Sequence, residues 1–127
     1  MFSHIVVGSN DLDASKKFYD AVFEACGGAA GVFDAKGRVV YSKDGMRFIV
    51  TRPINGEAAT FANGGTIGFT MKNPDMVEAW HAAGVANGGT TAENPPGIRD
   101  LGQRKLYLAY LRDPAGNKLC AGCTASA

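Results

Sequence analysis

The side chains in this sequence that could do chemistry are few. Three cysteines are present, Cys26, Cys120 and Cys123, and the last two form Cys120-Ala121-Gly122-Cys123, the spacing of a redox dithiol or half a zinc site. A thioredoxin-like dithiol opens a helix, whose N-terminus lowers the thiol pKa. Here the pair follows a strand-like run, Lys118-Leu119-Cys120-Ala121. If that strand continues, residues three apart point to opposite faces, so two sulfurs could not share one metal. The pair therefore reads as ordinary reduced thiols. His4 opens an apolar run; a neutral imidazole there could ligate a metal, hydrogen-bond inside a ligand cavity, or bond a neighbouring carbonyl. Arg52, Arg99 and Arg104 flank or lie in two connections rich in Gly, Pro and Asn, residues 52–65 and 94–104. An arginine fork at such a place binds carboxylate or phosphate, although loop arginines are often simply solvated. Tyr107 and Tyr110 lie three apart on one strand, so only one of them can face a given side, and alternation alone leaves the choice open.

The elements that must position these groups come as a repeat. Residues 4–23 and 66–85 align without a gap at an offset of 62 (66 − 4 = 62), placing Ile5 on Ile67, Val7 on Phe69, Asp13 on Asp75, Phe18 on Trp80 and Phe23 on Val85. Each copy opens with an apolar strand and turns through polar residues into an amphipathic helix. Asn10 or Asp11 caps the first helix, whose buried stripe is Ser15, Phe18, Tyr19, Val22 and Phe23, and Gly27-Gly28 ends it. Asn73 or Pro74 starts the second, with Met76, Val77, Trp80 and Ala83 or Gly84 facing inward. Phe18 and Trp80 read as equivalent core slots, while His81 falls on Tyr19 by the offset and reads as a structural residue at the helix surface. Strands are expected at 31–34, 38–42 and 46–51 in the first half, and weakly at 90–93, then at 105–111 and 118–121, in the second. Each half is β-α-β-β-β. Connections as long as 52–65 and 94–104 are common as binding loops.

Composition bounds the function. At 127 residues, 46% hydrophobic and 20% charged, the chain has the material for one domain with a real core. The expected organisation is a single domain over 1–127, with module one at about 1–52, a linking loop at about 53–64 and module two at about 65–123. Lys and Arg number 13 against 12 Asp and Glu, a net charge of +1 without a basic stretch, so nucleic acid is not an expected partner. No apolar run approaches the length of a membrane span, and no charged-then-apolar leader opens the sequence. A cytoplasmic protein is expected, with no membrane partner.

The paired modules resemble the glyoxalase/bleomycin resistance/extradiol dioxygenase superfamily, also called the vicinal oxygen chelate superfamily. So do the opening Phe2-Ser3-His4-Ile5-Val6-Val7 with Asp11-Leu12-Asp13-Ala14-Ser15-Lys16-Lys17-Phe18-Tyr19, and the closing Tyr110-Leu111-Arg112-Asp113-Pro114-Ala115-Gly116-Asn117-Lys118-Leu119. The resemblance implies an α+β fold of two pseudo-symmetric βαβββ modules forming a cup-shaped mixed sheet, and a homodimer. It also implies where a divalent metal (Zn, Ni, Fe or Mn) would sit, because metal-using members take ligands from the first and last strands of each module. Those positions here are His4 and Thr66 and, registering Gly45 on Gly116 (116 − 45 = 71), Ile49 and Cys120. A set of two histidines and two carboxylates is thus replaced by His4, Ile49, Thr66 and Cys120. Isoleucine has no lone pair, a threonine hydroxyl is a poor transition-metal ligand, and cysteine suits zinc better than harder ions. No cofactor is expected on that donor set. The function expected is binding of a small organic ligand in the cup, with His4, Arg52, Arg99, Arg104, Tyr107 and Tyr110 as candidate contacts. The alternatives are an enzyme, either a lactoylglutathione lyase-like lyase or isomerase or a dioxygenase-like oxidoreductase, using a non-standard His4–Cys120 metal or none, and a non-catalytic interaction domain.

Overall fold

A computed structural model describes residues 1–125. In chain order the elements are β1 (His4–Gly8), α1 (Leu12–Glu24), β2 (Val32–Phe33), β3 (Val39–Lys43) and β4 (Met46–Thr51), then β5 (Ile67–Thr70), α2 (Pro74–Ala86), β6 (Thr90–Asp100), β7 (Lys105–Arg112) and β8 (Lys118–Thr124). The β-α-β-β-β order therefore occurs twice. The caps are local chemistry. Asp11 accepts from the Ala14 amide at 3.0 Å to start α1, and Asn73 accepts from Met76 at 2.9 Å to start α2, with Pro74 pre-set in the first turn.

Each half builds its own mixed four-stranded sheet, ordered β1-β4-β3-β2 and β5-β8-β7-β6. The first strand of each module pairs in parallel with the last, Ile5 beside Phe48 and Ile67 beside Leu119. The offsets of 62 (67 − 5) and 71 (119 − 48) are thus both kept in space. Alternation divides each strand between two faces. Ile5, Val7, Val39, Tyr41, Phe48 and Val50 face the helices in the first sheet, as do Ile67, Phe69, Ala109, Leu111, Leu119 and Ala121 in the second, and all of these belong to one core with Phe18, Val22, Val77 and Trp80. Across the junction Phe69 meets Phe23 and Phe48 with ring centroids 5.4 and 5.6 Å apart. The helix-bearing faces of the two sheets therefore meet each other, and the opposite faces point outward.

The closing sequence motif fastens the two halves together. Asp113 is buried and its carboxylate accepts from four donors: the Ala115 and Asn117 amides on Oδ1, and Asn117 Nδ2 and the Tyr19 hydroxyl on Oδ2, at 2.9, 2.9, 2.9 and 2.5 Å. Asn117 Nδ2 also donates to the carbonyl of Gly8 at 3.0 Å. A turn of module two thereby grips the first helix and first strand of module one.

Two expectations change. Residues 94–100, read as loop, are strand paired with β7, and only 101–104 make the turn, closed by the Leu101 amide on the Arg104 carbonyl. Two prolines in a strand are tolerated because the register slips between Ala92 and Gly97, leaving 93–96 in a bulge on the edge of the sheet, where no ladder donor is needed. The offset also misleads for one pair: Tyr19 is fully buried against Asp113, whereas His81 is half-exposed and bonds Thr91 at 3.0 Å.

Candidate functional site

The four positions given by the resemblance all lie on the outward faces, as two pairs. His4 stands opposite Arg47 and Ile49 opposite Val6, so His4 and Ile49 are diagonal neighbours on the face of the first sheet that turns away from α1. Thr66 immediately precedes β5, whose Gly68 stands opposite Cys120, which repeats that relation on the second sheet. The pairs belong to different sheets whose outward faces point away from a shared core. Within one copy they do not converge.

Their environments differ. His4 is exposed, its Nδ1 2.8 Å from the Ser3 hydroxyl. Ile49 is 1% exposed yet stands outside the core cluster, so an apolar side chain fills the floor of the first outward face. Thr66 is exposed and Cys120 half-buried. Burial raises the Cys120 thiol pKa, opposed by the Tyr110 hydroxyl and by the charges of Arg99 and Lys118, so it stays a neutral thiol near pH 7. A thiol is a poor metal ligand until it is deprotonated. Among the described residues no three His, Cys, Asp or Glu side chains gather closely enough to hold one ion. One imidazole, one protonated thiol, a threonine and an isoleucine do not fit the metal that the resemblance implies.

The second sheet does assemble a polar cluster. Tyr110 stands opposite Cys120 on the outward face, which decides between the two tyrosines; Tyr107 lies on the helix face with its hydroxyl on Glu78. Burial pushes the Tyr110 phenol up, and the nearby Cys120 and Glu93 add to it. Lys118 sits 5.1 Å from the Tyr110 ring centre and pairs with Glu93. Arg99 bridges the bulge, donating to the carbonyls of Asn94 at 2.9 Å and Gly97 at 3.2 Å. Gly68, across from Cys120, has nothing within 4 Å of where a Cβ would stand. An open floor with a phenol, a thiol and two cations around it can hold a small polar-headed ligand, reading the head by hydrogen bonds.

Sequence reasoning singled out Arg99, Tyr110 and Cys120, which the fold brings together, but missed Lys118 and Glu93. Lys118 was within reach, being two residues before Cys120 and hence on the same face. Glu93 was not, because it depends on the bulge, where its φ is +55°. Arg52 lies apart, bordering a cleft with Asn10 and Glu57, and Arg104 is exposed in the β6–β7 turn.

This fold is that of a recognised class. The model of the Glyoxalase/Bleomycin resistance protein/Dioxygenase superfamily matches residues 1–121, and the chain belongs to that superfamily. Among solved structures, a glyoxalase/bleomycin resistance protein from Albidiferax ferrireducens T118 is 55% identical, with a TM-score of 0.91 over 95% of this chain and 97% of that one. A lactoylglutathione lyase from Agrobacterium tumefaciens is 23% identical, with a TM-score of 0.67 over 96% and 92%. A glyoxalase-related enzyme from Fulvimarina pelagi is 22% identical, with a TM-score of 0.72 over 96% and 86%. The last two show the fold alone. A comparison with curated proteins finds no match.

Proposed function

We propose that this chain binds a small organic ligand on the outward sheet faces without the metal that other superfamily members use. The observation that carries the reading is Ile49, buried at 1% exposure where a carboxylate ligand would be needed. Around it, Val6 and Val40 give an apolar floor, and on the second sheet Tyr110, Arg99, Lys118 and Cys120 supply the polar contacts. Neither face encloses a ligand by itself. A homodimer that sets the first-sheet face of one copy against the second-sheet face of the other would complete a cup. The three free thiols suit a cytoplasmic setting.

A second reading is favoured by the retention of His4 at the family's ligand position: a glyoxalase-like lyase or isomerase, or a dioxygenase-like enzyme, in which His4 and the partner copy's thiol hold a metal. Metal analysis of untagged protein separates the two, followed by thermal-shift titration with nickel, zinc, manganese and iron(II). The metal-free reading expects less than about 0.1 ion per chain and no metal-induced rise in Tm. Stoichiometric metal that disappears in His4→Ala would sink it in favour of the enzyme.

A further inference from the structure

We propose that the chain carries a second ligand site, on the opposite side of the first sheet from His4 and Ile49, which takes a flat apolar compound bearing one anionic group. A cavity of about 400 Å³ lies there, where the two modules meet. It exists because the halves pack unequally. Helix α2 lies across β6, β7 and β8, whereas α1 rests on β4 and on α2. Helix α1 stops at Glu24 and the chain turns away through Gly27 at φ +83°. Tyr19 and Phe23 of the helix still cover Phe48, but the end of the sheet beyond it, at Ser42, Lys43 and Met46, stays exposed. Strand β5 forms the other wall with Ile67 and Phe69.

The cavity opens to solvent past Lys43 and Asp44, and about 400 Å³ falls within the range of small-molecule sites. Phe23, Phe48 and Phe69 stand edge to face, with centroids 5.7, 5.4 and 5.6 Å apart, and hold the apolar wall rigid. The charge is at the mouth. Lys43 ends β3 and alternates with Val39 and Tyr41 toward the cavity side. Its charge acts on the half-buried Cys26 thiol, lowering a pKa that burial raises, which puts the ammonium near Cys26. Among the described residues Lys43 has no carboxylate partner. Asp44 is the acid that lines the cavity, and Arg47, opposite His4 in the ladder, points to the other face of the sheet. An unpaired ammonium at the lip of an aromatic-walled cavity complements a carboxylate on a flat ring system.

The test uses 1-naphthoate and the neutral 1-naphthalenemethanol in calorimetric titrations, with N-ethylmaleimide modification of Cys26 read by peptide mass spectrometry. Naphthoate is expected to bind the wild type and to slow Cys26 modification. Lys43→Glu, an exposed position that leaves the fold intact, should weaken naphthoate by about tenfold and leave the alcohol unchanged. Cys26→Phe should fill the cavity and abolish binding of both; if that variant does not fold, Lys43→Glu still decides. His4→Ala, on the other face of the sheet, should leave naphthoate affinity unchanged, which separates this site from the outward-face reading. Three results would overturn the proposal: no naphthoate binding, binding indifferent to Lys43→Glu, or a Cys26 already shielded in ligand-free dimeric protein, which would mean that a second copy fills the cavity.

Discussion

At the scale of single residues, Asp113 shows how a sequence signature can be structural. The motif Asp113-Pro114-Ala115-Gly116-Asn117 is legible as a mark of the fold, but its role depends on Tyr19, 94 residues away in the chain. Four donors hold the carboxylate in place of water, and burial together with the Asp113 charge drives the Tyr19 phenol pKa far up. Asp113→Ala strands several buried donors and should cost roughly 3 kcal/mol or more in urea denaturation. Tyr19→Phe, which leaves the other three donors paired, should cost about 1 kcal/mol. An Asp113→Ala protein as stable as the wild type would show that the network does not fasten the modules. Ile49 carries the opposite lesson. Its identity at the metal position is plain from the sequence, but its burial on the outward face, outside the core, is a tertiary fact.

Secondary-structure elements are legible in the sequence where their signals are local. The helix starts at Asn10 or Asp11 and at Asn73 or Pro74, the buried Phe18 and Trp80 and the strand Met46–Thr51 follow from neighbours within a turn or from strand alternation, and the structure settles the caps on Asp11 and Asn73. Strand β6 failed the same reading because Asn94-Pro95-Pro96 looks like a loop in isolation; the edge of β7 and the Arg99 bridge turn it into a bulge. The helix–helix junction is equally non-local. A Cβ on Gly89 would stand 2.4 Å from Phe18 and 2.8 Å from the carbonyl of Gly84, whereas one on Gly68 meets nothing. Gly89→Ala should therefore lose about 2 kcal/mol, while Gly68→Ala stays within about 0.5 kcal/mol of the wild type. Equal stabilities from matched chemical denaturation would refute a tight α1–α2 seam.

For the whole molecule, the outward faces and the open edges of β1 and β5 are what a second copy would cover. Each of these strands pairs on one side only, and Val6, on the outward face of β1, is 44% exposed. Light scattering at micromolar concentration should give the mass of a dimer. Val6→Lys, which puts a charge in the middle of that edge, should shift it to monomer with its circular dichroism unchanged. A wild-type monomer would contradict the composite cup.

The sequence by itself determined the twofold β-α-β-β-β order, the pairing offsets of 62 and 71, and the poverty of metal donors at the four positions to which the superfamily resemblance points. Those features rest on residue identity and on interactions within a few residues or along one strand. Only the tertiary structure decided that Tyr110, not Tyr107, joins Cys120, and that the bulge brings Arg99 and Glu93 beside them. It also decided that the His4–Ile49 and Thr66–Cys120 pairs face away from each other. The reason is burial: the helix-bearing faces of both sheets share one core, and that choice of which apolar faces meet is made by contacts far apart in the chain.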